Sequence, residues 1–249
     1  MIKRLALLAV LLLGFTSTGG IVQFNAVSGA VACTPPEYHF EETWETNPGS
    51  DETWTEACAT ANNCNEDWDS GDAPPSPLHG SESYALNLTS VEDHPWGELQ
   101  NATIGDGAEE TVYVAFMARV VESSFNEGAS PLVTLRTTGA DIVTIGFNVL
   151  AGTMYEDAYG PGGNSTGFTW VVNTTYRVKM RYTRGLASSS TFQLWVTTSS
   201  SDWGEPYEET GVTETGYLTN IWLRAYDYFI MYDDLKVSYE DIPICDVGA

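Results

Sequence analysis

The sequence predicts an all-β fold, a single domain in which two antiparallel sheets pack face to face. Three observations carry that expectation. No window of useful length repeats apolar residues at i, i+3 and i+4 between helix caps. Segment after segment instead alternates apolar and polar residues with period two, the pattern of a strand with one face on a core and the other on water. Two aromatic, β-branched segments over residues 220–239 end six residues before Cys245, and a matching cysteine, Cys33, stands near the start of the exported chain.

The elements follow in order. Lys3 and Arg4 precede an apolar run over residues 5–15, too short to remain in a bilayer, and Ala30-Val31-Ala32 is a small-residue cleavage site before Cys33. Residues 1–32 therefore read as a secretory signal and residues 33–249 as the exported domain. A lipoprotein signal cut at Cys33 is the competing reading, opposed by the distance between the apolar run and that cysteine. Either one puts the protein outside the cell, secreted or at the cell surface, and no later segment is apolar enough to span a membrane.

Residues 83–88 alternate Tyr84, Leu86 and Leu88, and residues 111–121 alternate Val112, Val114, Phe116, Ala118 and Val120. Residues 132–136 and 142–150 flank Thr137-Thr138-Gly139-Ala140-Asp141, a hairpin turn in which Gly139 is free to take a positive φ. Residues 175–183 set Tyr176, Val178, Met180 and Tyr182 against Arg177, Lys179 and Arg181; residues 191–197 set Phe192, Leu194 and Val196 against Gln193, Trp195 and Thr197. The final segment carries Asp233-Asp234, two consecutive acids expected on opposite faces, then Leu235, Val237 and Tyr239. Residues 47–79 form the longest loop, with an acidic run over residues 65–72.

Residues 1–32 hold two of the ten basic residues and no acid, so residues 33–249 carry eight basic against 34 acidic residues, a net charge of −26. General attraction to nucleic acid or to an anionic membrane is excluded. Two readings fit so acidic a chain: a strongly hydrated, salt-tolerant surface, or carboxylate clusters that hold divalent cations. Four cysteines in an exported chain indicate disulfides. Cys58 and Cys64 are close enough to pair locally, which leaves Cys33 for Cys245. That bond would close nearly the whole domain, worth about 5 kcal/mol on loop entropy.

Several segments together resemble the concanavalin A-like lectin/glucanase superfamily in its LamG-like branch: Phe40-Glu41-Glu42-Thr43-Trp44-Glu45, the Pro77-Leu78-His79-Gly80 opening that leads to Ser83-Tyr84-Ala85-Leu86, the central strand over residues 112–119, Thr175-Tyr176-Arg177-Val178, and Tyr232-Asp233-Asp234-Leu235-Lys236-Val237. The resemblance implies a two-sheet antiparallel jelly-roll sandwich with its first and last strands adjacent. It also implies a structural Ca²⁺ between early acids and the closing strand, which here would be Glu41 and Glu45 with Asp233 and Asp234.

A sugar-binding face needs aromatic rings for the apolar faces of sugars and polar groups for their hydroxyls. Trp96, Trp195, Trp222 and Tyr226, which sit among polar neighbours, are the candidates, with Arg119, Arg136 and Arg224 on strands; Arg119, Trp222, Arg224 and Tyr226 alternate with apolar residues expected in the core. Catalytic patterns are weak. No strand carries the spaced carboxylates of a retaining glycosidase, and Trp96-Gly97-Glu98-Leu99-Gln100 only faintly echoes the R-x-E-L strand of jelly-roll lyases. The sequence thus favours a non-catalytic carbohydrate-binding protein whose partner is a polysaccharide or glycan. The alternatives are a polysaccharide lyase or glycoside hydrolase, and a self-associating surface or filament subunit.

Overall fold

In the computed structural model, the residues described are 33–44, 55–58, 66–69, 77–80, 82–86, 96–101, 109–121, 129–148, 152–156, 164–186, 189–212, 215–226 and 228–248. Residues 1–32, Glu45 and Cys64 lie outside them, as do the side chains of Cys58, Trp96 and Tyr226.

The strands are β1 (Tyr38–Glu42), β2 (Thr55–Cys58), β3 (Glu66–Asp69), β4 (Glu82–Leu86), β5 (Trp96–Asn101), β6 (Thr111–Val121), β7 (Ala129–Arg136), β8 (Asp141–Asn148), β9 (Thr153–Glu156), β10 (Asn164–Thr169), β11 (Thr175–Thr183), β12 (Ser190–Thr197), β13 (Tyr207–Val212), β14 (Asn220–Tyr226) and β15 (Phe229–Ser238). They form two sheets with antiparallel pairing throughout. The first runs β13-β12-β11-β6-β15-β4-β3, with β1 also on β15; the second runs β10-β9-β8-β7-β14-β5-β2. This is the jelly-roll sandwich that the sequence predicts, and residues 33–249 form one compact unit.

Alternation determines what faces inward. Val112, Val114, Phe116, Ala118 and Val120 of β6 share one core with Ile221, Leu223 and Ala225 of β14. Tyr232 of β15 crosses that core. Its hydroxyl lies 2.8 Å from the Leu132 carbonyl and 2.7 Å from the Arg224 carbonyl, so a first-sheet side chain holds two second-sheet strands. Burial pushes its phenol well above the usual tyrosine pKa, which keeps the O–H as a donor.

The chain ends meet as expected. β1 pairs with the second half of β15, and Cys33 is bonded to Cys245 across a Cα–Cα distance of 6.0 Å. The expected Cys58–Cys64 pair falls on Cys64 and the Cys58 side chain, outside the described residues.

Three local expectations are corrected. Gly139 is not among the positive-φ glycines. The turn is instead held by Thr137, whose hydroxyl accepts from the Gly139 and Ala140 N–H groups. Glu66–Asp69, read as part of an acidic loop, is strand β3, paired with β4.

Asp233 and Asp234 do not point to opposite faces. Asp234 takes φ 51°, and the β6–β15 register slips between Asp233 and Lys236. This bulge inserts an extra residue, so both carboxylates leave the core side. It sits where β15 changes partner, from β4 at Ile230–Tyr232 to β1 at Leu235–Ser238.

Candidate functional site

The pleat of β14 builds the candidate site on the second sheet. Ile221, Leu223 and Ala225 are fully buried in the core, which turns Trp222 and Arg224 to the opposite face. Trp222 is in register with Thr134 of β7 and Gln100 of β5; Arg224 is in register with Glu98, and Tyr226 with Trp96. The Arg136 guanidinium lies 3.5 Å from the Trp222 ring centre and that of Arg224 lies 5.4 Å from it. Two guanidinium groups thus lie near one indole, Arg136 much the closer. Arg136 also pairs with Asp141 across the β7–β8 hairpin.

A polar layer supports this array. Arg224 Nη1 donates to Thr134 Oγ1 at 3.3 Å, and the Thr134 and Thr144 hydroxyls share a 2.9 Å hydrogen bond. Thr134, Thr144 and Arg224 are buried, whereas Trp222 and Arg136 are partly exposed. The site thus has an accessible ring and cation above a fixed set of donors. Tyr232 reaches the Arg224 backbone from the core side and so positions this part of β14.

Five of the seven candidate sugar-binding residues, Trp96, Arg136, Trp222, Arg224 and Tyr226, lie on neighbouring strands of the second sheet, Trp96 and Tyr226 by backbone register. Arg119 and Trp195 lie on the first sheet and do not join them. Arg119 donates from Nε to Thr175 Oγ1 at 3.0 Å, and burial holds its pKa below the usual guanidinium value. Trp195 faces Lys179, whose Nζ is 4.5 Å from its ring and 4.9 Å from that of Trp203. Alternation separates core from non-core positions; it does not say which sheet a strand will join. Alternation does not single out Thr134 and Thr144; their signal in the sequence is a threonine inside each of two apolar runs, Leu132-Val133-Thr134-Leu135 and Ile142-Val143-Thr144-Ile145.

The C-terminal segment covers part of the outer face of the first sheet, over β6 and β11. Ile242 and Val247 pack on Ala115 and Met117. Arg177 donates to the Val247 carbonyl at 2.7 Å, Lys179 to Asp241 at 2.7 Å, and Trp203 Nε1 to the Ile242 carbonyl at 3.1 Å. Burial lowers the Lys179 pKa, opposed by its bond and charge contact with Asp241. Gly248, at φ 71°, packs so closely that a Cβ there would strike Met117 Sδ.

The proposed metal ligands divide into two arrangements. Asp233 accepts from Ser83 Oγ at 2.6 Å and from the N–H groups of His79 and Asp234, each at 2.8 Å. Burial pushes its pKa up to about 7 against those bonds, helped by the charge of Asp234. Asp234 and Glu41 face Lys236, whose Nζ lies 3.1 and 3.6 Å from them. Among the described residues, no three carboxylate, histidine or cysteine side chains converge as a metal-binding group.

No protein-family model matches the sequence, and no curated protein does. Solved structures share the fold. An endo-β-1,4-glucuronan lyase from the fungus Trichoderma reesei aligns with TM-score 0.51 and 12% identity, over 84% of this chain and 99% of its own. The marine PL-14 alginate lyase of Aplysia kurodai aligns with TM-score 0.53 and 9% identity, over 82% and 99%. The cellulose induced protein Cip1 aligns with TM-score 0.50 and 12% identity, over 82% and 99%. At such identities the likeness is one of fold: a jelly-roll sandwich, consistent with the superfamily that the sequence motifs resemble.

Proposed function

We propose that the protein binds a polysaccharide on the outer face of the second sheet without cleaving it. The observation that carries this reading is the Arg136–Trp222–Arg224 array over the Thr134–Thr144 layer. The apolar face of a sugar ring packs on an indole, while a guanidinium group at its rim binds the sugar's oxygens. The nearby Arg136 guanidinium holds the ring in place before binding, which reduces the ordering cost of association. Two of the similar folds are named as lyases of glucuronan and alginate, which supports a carbohydrate ligand.

A lyase is the second reading, favoured by one observation. The Trp96-Gly97-Glu98-Leu99-Gln100 segment, which echoes a lyase strand, lies beside β14 in this same sheet. Electrophoresis of the native protein through gels containing alginate, glucuronan or a neutral β-glucan tests both. Retardation by at least one polymer is expected, with no growth in the ultraviolet absorbance of unsaturated ends on incubation. Growing absorbance would replace binding with cleavage, and unretarded migration in every gel would overturn both readings.

A further inference from the structure

The acids at the seam between the first and last strands surround a side chain of the protein itself. Lys236 Nζ lies 3.1 Å from Asp234, 3.6 Å from Glu41 and 3.5 Å from Asp246, and it donates to the Asp246 carbonyl. It also stands 5.4 Å from the Tyr38 ring. The lysine side chain is 7% exposed. Three elements thus face one ammonium: β1 through Glu41, β15 through Asp234, and the C-terminal segment through Asp246, next to Cys245. The bulge makes this arrangement, because it turns Asp234 to the side of Lys236.

These residues do not fit a bound Ca²⁺. Calcium needs six to eight oxygens at about 2.3–2.6 Å, and here the position central to the acids is filled by a cation that cannot leave. The three carboxylates stand 3.1–3.6 Å from that ammonium, the distances of ion pairing. We propose that Lys236 is the resident cation of the seam, its ammonium joining the first strand, the last strand and the C-terminal segment in place of a divalent ion.

The consequences are specific. Removing the ammonium leaves buried and half-buried carboxylates facing one another, which destabilises the domain strongly. Removing one of those carboxylates at the same time relieves part of the loss. Lys236→Met keeps the apolar stem and deletes the charge; Lys236→Met/Asp234→Asn also deletes the most buried acid. The expected melting temperatures fall by about 10 °C for the single variant and by clearly less for the double. Should the single variant not fold, recovery of a folded double variant reads the same coupling. The unmodified protein is expected to melt at one temperature in Ca²⁺ and in Mg²⁺ at matched concentration, because general screening of its acidic surface is common to both. A double variant no more stable than the single, or a rise of several degrees in Ca²⁺ alone, would overturn the proposal.

Discussion

Asp233 gives the protein a stability that depends on pH in a calculable way. The residue is fully buried, and desolvation of its carboxylate outweighs three hydrogen bonds, raising the pKa from 3.8 to about 7. The folded state therefore holds a proton that the unfolded chain releases across this window. The contribution is fully present below pH 3.8 and is lost as pH rises through about 7. At 1.36 kcal/mol per pH unit the whole window is worth about 4 kcal/mol, and the part between pH 5 and pH 8 about 2–3 kcal/mol. Asp233→Asn removes the titration while keeping the shape. One donor onto the old carboxylate then meets an N–H₂ group, at a pH-independent cost of about 1–3 kcal/mol. Urea denaturation at both pH values measures the effect. Unfolding free energy of the native sequence should drop by about 2–3 kcal/mol more than that of Asp233→Asn between pH 5 and pH 8. Parallel pH dependences in the two proteins would refute the assignment.

Two other features of the frame, the disulfide and the Tyr232 hydroxyl, give equally definite outcomes. Replacing Cys33 and Cys245 together by serine opens a loop closed over a sequence separation of 212. The loop-entropy cost is about 5 kcal/mol, or a melting temperature lower by about 10–20 °C; a fall of only a degree or two would show that the unfolded chain gains little from the opened loop. Tyr232→Phe deletes the hydroxyl between the Leu132 and Arg224 carbonyls. A loss of about 1–3 kcal/mol in urea denaturation is expected, and no loss would mean that the hydroxyl does not join the sheets.

Much of this fold is legible in the chain because one-face burial leaves a period-two mark. The segments 111–121 and 175–183 are strands over their whole predicted lengths, as β6 and β11. The two terminal cysteines give the adjacency of first and last strands before any coordinates. What is not legible depends on long-range pairing. Arg119 and Trp195 have the same alternation signature as Arg136 and Trp222, yet β6 and β12 join one sheet and β7 and β14 the other. The bulge at Asp234 carries no glycine or asparagine to announce it. It arises where β15 exchanges β4 for β1 as its neighbour, a junction between distant parts of the chain. The same junction explains why two acids expected on opposite faces act on one side of the sheet, Asp233 with Ser83 and Asp234 with Lys236.

The most direct test of the binding face compares two tryptophans on opposite sides of the sandwich. Calorimetric titration with whichever polysaccharide retards the protein should give Trp222→Ala an affinity lower by about 30-fold, a loss of about 2 kcal/mol expected of a central aromatic anchor. Trp195→Ala, on the first sheet beside Lys179, should bind as the unmodified protein does. Unchanged binding by Trp222→Ala, or a loss confined to Trp195→Ala, would contradict the account.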